Sequence, residues 1–365
     1  MQVARGIAAL IVVCHHVTAA DVFYFRFNSF SGFFSPGWSA VDFFFVLSGF
    51  IIYYIHARDL GHKDRWKRYI TKRLVRIYPI YWVVALFFLV LVFAGNGNGQ
   101  VARNDVSDVF HRPAYLLRSL FLIAQPSTPF YSVSWSLCFE VFFYLVFGLG
   151  ILIDKRAIWL LPVVYFGLNI AQLVNPHLFT GNFLAGFLSA NYHFEFLLGM
   201  LTAWTYRRTD QTNVGKPMIR WLWIPGLLLF ALTWQGSLVN EAVFGKYTVY
   251  SRLSYGISSA LIILSIAQWE EIIETRFNRF LLLLGDASYS LYLIHTLALA
   301  ILFKLFVRLG IHGQVAWVSF LLFVVSVPIC VLAGIVLHRK VEKPLLSVLN
   351  RKVPAKLSVK TPAKA

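Results

Sequence analysis

The sequence predicts an all-α polytopic membrane protein, a helical bundle of about ten transmembrane helices. Three observations carry this. The chain is 58% hydrophobic and only 13% charged. Its mean hydropathy is +0.67. Apolar stretches of roughly twenty residues, the length that spans a bilayer, recur from end to end and are divided by segments rich in Lys and Arg. This composition excludes a soluble globular domain. The 365 residues would suit two soluble domains, but a single bundle absorbs residues 1–345. Residues 346–365 are basic and carry Pro, and they read as a disordered tail lying on anionic lipid.

In chain order the expected spans are residues 3–20, 37–57, 77–94, 135–153, 157–174, 192–206, 221–234, 253–269, 284–307 and 315–337. The first carries Thr18-Ala19-Ala20, small enough to precede a signal cleavage site, yet no positive cluster leads into it and two histidines interrupt its end. It therefore reads as a retained span. The seventh and eighth have blurred ends because of Pro225, Gly236 and Gly256. Between the third and fourth, residues 95–134 open with the flexible turn GNGNGQ. They continue through an apolar, Pro-broken stretch too short to span, which reads as a re-entrant or interfacial element. The ninth helix begins at Asp286 and Ser288, both good caps. Internal repeats, the mark of inverted-repeat transporters, are not visible.

Charge sets the orientation. Twenty-four Lys and Arg fall in segments on one side of an even number of spans, and Arg5 makes a twenty-fifth; eight fall on the other. Both termini should therefore be cytoplasmic. The net charge of +17 is membrane topology rather than a nucleic-acid footprint, because no folded basic domain presents it. Cys14, Cys138 and Cys330 all lie in apolar segments and read as small core residues rather than a disulfide framework.

Ionisable groups at membrane depth are costly unless they face a protein interior or a wet cavity, so they mark candidate sites. Arg5 and His16 are eleven residues apart. On an α-helix that is about three turns plus ~20°, so they share one stripe ~16 Å apart, with His15 rotated away by roughly 80°. They cannot touch each other, but an elongated molecule can touch both. Asp42 and Glu140 lie near the outer ends of the second and fourth spans, where an isolated carboxylate must be paired, protonated or facing water. A helix-packing hydrogen bond is the plain alternative for each. Arg73 and Arg76 share a face where the third span begins, and planar guanidinium groups suit bidentate phosphate binding. Lipid head groups are the competing explanation. His295 shares a face with Ser288 and Tyr292, and it is either a satisfied core histidine or part of a site. Trp38, Tyr131 and Trp135 gather at the outer boundary, suited to a sugar ring or simply to an aromatic belt.

The segments RGIAALIVVCHH, AVDFFFVLSGF, KRLVRIYPIYW, SWSLCFEVFFYLVF, SYSLYLIH and VEKP, in this order, resemble the acyltransferase family 3 of integral membrane O-acyltransferases. The likeness runs from residue 5 to about 345 and is similar in style to the short exopolysaccharide-acetylating members. It implies a ten-helix fold in the bacterial inner membrane. It implies transfer of an acyl group, usually acetyl, from cytoplasmic acetyl-CoA to a hydroxyl of a cell-surface polysaccharide or lipid-linked glycan, with no metal. The family's arginine-to-histidine motif maps onto Arg5 and His16, its paired arginines onto Arg73 and Arg76, and its acidic positions onto Asp42 and Glu140. One departure is the lead-in to the second helix, which is Ser39-Ala40-Val41-Asp42 where glycine-valine-aspartate is common.

Together these imply His16 as general base, with Asp42 or Glu140 orienting it or the sugar. Arg5, Arg73 and Arg76 hold coenzyme A phosphates, and Trp38, Trp135 and His295 border the acceptor. An acyl-imidazole on His16 is the covalent variant. Two other classes stay open: a transporter using the same groups as a proton relay, and a structural partner in glycan synthesis. Membrane lipids are the expected surroundings, and the sequence does not fix the oligomeric state.

Overall fold

The computed structural model describes residues 1–27, 29–94, 112–153, 157–175, 178–179, 181–212, 215–246, 248–273, 279–311 and 315–351. Every regular element among the described residues is helical. The ten long helices are α1 (Gln2–Phe25), α2 (Ala40–His56), α3 (Trp66–Ala94), α4 (Trp135–Leu152), α5 (Leu160–Val174), α6 (Asn191–Thr212), α7 (Trp223–Val239), α8 (Val249–Ile273), α9 (Ser288–Arg308) and α10 (Ala316–Leu337). Each expected span falls on one of them. Eight, all but α5 and α6, are long and apolar enough to cross a membrane. Helix α5 has only 15 residues, and α6 carries Glu195, Arg207, Arg208 and Asp210.

Helix α2 is the hub. Two thirds of its most apolar stretch is buried (67%), against 11% for α7 and 22% for α10, whose side chains face outward. It crosses α6 so closely that a Cβ on Gly49 would stand 1.9 Å from the Phe196 carbonyl oxygen, and one on Gly199 would stand 1.9 Å from that of Val46. Small residues at such crossings are how membrane helices gain packing without a hydrophobic drive. Helices α1, α6 and α8 surround α2, while α9 and α10 form a pair against α1.

Three boundaries differ from expectation. Helix α3 starts at Trp66, one residue beyond a short turn, so Arg73 and Arg76 lie two turns inside a continuous helix. The ninth span is two pieces, a short helix Arg279–Asp286 and then α9, joined at Ala287 without a side-chain cap. Asp286 instead accepts from Gln2 Nε2 at 2.9 Å, because the carboxylate faces the neighbouring α1 rather than its own amides. Residues 346–351 are the end of a helix, Lys343–Arg351, not disordered tail. That helix leans on α3.

The segment before α4, expected to be re-entrant or interfacial, is in part a short helix packed on α3. That helix, Pro113–Leu120, is strapped to the middle of α3, where Tyr78, Tyr81 and Trp82 donate to the carbonyls of Phe121, Ser119 and Leu120 at 2.7, 2.7 and 2.8 Å. The expected flexible turn at 95–100, the charges Arg103, Lys155, Arg156 and Arg276, and the tail from 352 onward lie outside the described residues.

Candidate active site

Helix α4 places successive residues on opposite sides of a partition. Ser136, Leu137, Glu140 and Tyr144 face a cavity of about 550 Å³. Trp135, Cys138 and Phe139 face a second of about 830 Å³.

Arg5, Arg73 and Arg76 line the first cavity together with His338 and Lys343, so Arg5 meets the pair Arg73 and Arg76, distant in sequence, at one site. Each is held by a neighbour. Arg5 donates to Gln2 Oε1 at 2.9 Å. Arg73 donates to His56 Nε2 at 2.9 Å, which fixes the His56 tautomer with Nδ1–H donating to Asp59 at 2.7 Å. The guanidinium also lies over the rings of Tyr69 and Tyr144, and its Nε is buried with no hydrogen-bond partner among the described residues. Arg76 pairs with the fully buried Glu342 at 3.0 Å and lies over Tyr289. Glu342 also accepts from Ser290 at 2.7 Å and His338 at 2.8 Å. It closes a π-helical turn, His338–Glu342, a distortion that recurs at functional sites. Glu140 joins this cavity, accepting from Ser48 at 3.1 Å and from Tyr144.

His16 lines the second cavity. Its Nδ1 lies 2.9 Å from the Val12 carbonyl, one turn back on α1. A carbonyl only accepts, so Nδ1 carries the proton and Nε2 is left with its lone pair. His295 is built the same way, with Nδ1 at 3.2 Å from the Leu291 carbonyl and a buried Nε2 that has no partner among the described residues. The rings of His16 and His295 meet edge to face at 4.7 Å. His15 turns away and bonds the Phe34 carbonyl at 3.1 Å, as its helical phase requires. Trp135 meets Phe139 edge to face and Tyr192 at a tilt.

Two residues sit elsewhere than expected. Asp42 is fully buried and ion-paired with Arg252, and it does not orient His16, whose ring is held by Val12. Trp38 lines neither cavity; it is a platform 4.6 Å beneath the Arg252 guanidinium, with Tyr192 at 4.5 Å on another side. Glu195 is buried beside Asp42. Glu140, the other carboxylate considered for orienting His16, opens on the arginine cavity. Sequence reasoning missed Arg252, Glu195, Glu342, His56 and Ser136. One signal was available: a buried aspartate needs a cation, and Arg252 stands beside the eighth span. Outside the spans, burial holds the Lys246 ammonium below its usual range, with Arg252 pushing the same way. Its side chain lines the second cavity.

The arrangement is an arginine-lined cavity and an aromatic one on either side of α4, the second lined by a histidine with one nitrogen available for base or nucleophile chemistry. Among the described residues no group of three His, Cys, Asp or Glu could hold a metal ion. The family model for the acyltransferase domain, acyltransferase 3, matches residues 1–338. The chain belongs to the acyltransferase 3 family.

This acyltransferase is 28% identical over 324 residues to the exopolysaccharide production protein ExoZ of Rhizobium meliloti, covering 86% of the chain and 90% of that protein. It is 27% identical over 344 residues to the acyltransferase MdmB of Streptomyces mycarofaciens, covering 86% and 82%. It is 23% identical over 364 residues to the O-acetyltransferase OatA of Staphylococcus aureus, covering 93% of the chain but 56% of OatA. No solved structure matches the acyltransferase.

Proposed function

We propose that this acyltransferase moves an acetyl group from cytoplasmic acetyl-CoA to a hydroxyl of an extracytoplasmic glycan in the bacterial inner membrane. Both termini lie on the cytoplasmic side. The observation that carries the proposal is the meeting of Arg5, Arg73 and Arg76 in one cavity, with His16 facing a second. Guanidinium groups bind phosphate through paired, charge-assisted hydrogen bonds, and Arg73 Nε is a buried donor without a partner among the described residues. The charge asymmetry supports a cytoplasmic side for this cavity. The relatives' names, an O-acetyltransferase and an exopolysaccharide production protein, support acetyl as the group and a polysaccharide as the acceptor.

In the reaction His16 Nε2 takes the proton of an acceptor hydroxyl as its oxygen attacks the thioester carbonyl. The tetrahedral intermediate collapses with cleavage of the carbon–sulfur bond, and the imidazolium returns the proton to the leaving thiolate. Trp135 and the neighbouring aromatic rings offer stacking faces to the sugar. One observation favours a second reading. His16 lies across α4 from the arginine cavity, which suits an acyl-imidazole formed from the donor and then attacked by the sugar. Labelled acyl-enzyme trapped without acceptor is its expected mark; strict dependence on a ternary complex is the outcome against it.

The orientation is tested with sealed membrane vesicles and acetyl-CoA labelled in its acetyl group. Inside-out vesicles, which present the cytoplasmic face, are expected to label their glycan, and right-side-out vesicles are not. The reverse pattern overturns the proposal.

A further inference from the structure

The arginine cavity ends at a hydrogen-bonded pair that is tied to a carbonyl of a residue lining the second cavity. Ser136 and Tyr292 line the arginine cavity, and their hydroxyl oxygens are 2.6 Å apart. The Tyr292 hydroxyl donates to the Val133 carbonyl at 3.0 Å, so Ser136 is the donor to Tyr292. Val133 itself lines the second cavity. Behind Tyr292 the rings continue directly to the reactive group: Tyr292 to His295 is 5.9 Å and His295 to His16 is 4.7 Å. The phenol and the serine thus form the arginine-cavity end of the line to His16, with the His295 ring next behind them.

We infer that the Ser136–Tyr292 pair is a gate, which the thioester end of the donor displaces to reach His16. This rests on the proposed donor and on His16 as the reacting group. Three features distinguish a gate from fixed packing. The contact joins two neutral hydroxyls, cheap to break beside a buried ion pair such as Asp42–Arg252. One partner is a phenol with two side-chain torsions, able to swing between staggered rotamers without moving α9. The other stands in the first turn of α4, directly after the short turn Ser132–Ser134, rather than in mid-helix. Closed, the gate separates a thioester in the arginine cavity from water and acceptor in the other. Opened by the pantetheine arm, it admits the carbonyl carbon to His16 only when donor is bound.

When water takes the acceptor's place, its oxygen bonds the acyl carbon, the carbon–sulfur bond breaks, and acetate and coenzyme A thiol are released. The gate limits this leak. The test uses the purified full chain in lipid nanodiscs, with acetyl-CoA and no acceptor, reading free thiol release. Ser136→Ala is expected to raise it about threefold or more, the factor set by one lost neutral hydrogen bond, and Tyr292→Phe, which loses two, at least as much. The Kd for acetyl-CoA should stay at the wild-type value, which also shows that the variants fold. Adding His16→Ala to Tyr292→Phe should return release to the wild-type rate or below. Unchanged release in both single variants, with acetyl-CoA bound normally, overturns the gate and leaves the donor assignment standing. A wild-type chain that does not bind acetyl-CoA overturns both.

Discussion

His16 has one nitrogen committed to the Val12 carbonyl and one available, and the proposed chemistry follows from that division. A positioned general base supplies on the order of 10²–10⁴-fold in rate. His16→Ala is therefore expected to lower acetyl transfer by about that factor, with the Kd for acetyl-CoA unchanged. The arginines should behave in the opposite way. Arg76→Lys keeps the charge but loses the planar fork, so it is expected to weaken acetyl-CoA binding, measured by calorimetry, more than it slows turnover at saturation. Asp42 belongs to a third class. Asp42→Ala would remove the ion-pair partner of the buried Arg252, a loss of up to roughly 3–5 kcal/mol. The expected result is a poorly accumulating protein with a lowered Tm in detergent, against normal accumulation with selective loss of turnover if Asp42 were a catalytic group. The sequence marked Asp42 as costly but could not name its partner. Arg252 lies 210 positions away, and helical phase relates only residues on the same helix.

At the scale of elements, the crossing of α2 and α6 is the tightest constraint. A methyl at Gly49 or Gly199 would collide with a backbone carbonyl rather than with a side chain able to move. Gly49→Ala is thus expected to cost at least the ~1–3 kcal/mol typical of overpacking, seen as a fall in Tm. Gly167→Ala in α5, where nothing stands within 4 Å, should be neutral or slightly stabilising. The ten long helices were legible because hydrocarbon demands about twenty apolar residues per crossing, and that signal is local. The break at Ala287 was not legible, because it depends on the α1 backbone. Gly285 lies so near Gln2 that a Cβ would be 2.1 Å from its carbonyl oxygen. Nor was the role of Glu342. Its motif was visible, but the cluster of Arg76, Ser290 and His338 around it arises only when α3, α9 and the chain after α10 converge.

Over the whole molecule, the proposed reaction needs two faces, a donor cavity open to the cytoplasm and an acceptor cavity open to the other side. The helical phase of Arg5 and His16, ~16 Å apart on one stripe, carried this layout from the sequence. The partition between the cavities was invisible there, because successive residues of α4 divide between them. The most direct measurement is mass spectrometry of envelope glycans from cells carrying either the wild-type chain or His16→Ala at equal membrane levels. The acetyl increment is expected with the wild type and lost with His16→Ala, while the purified variant still binds acetyl-CoA. Glycans equally acetylated in both strains would contradict the assignment of His16 as the group that carries the chemistry.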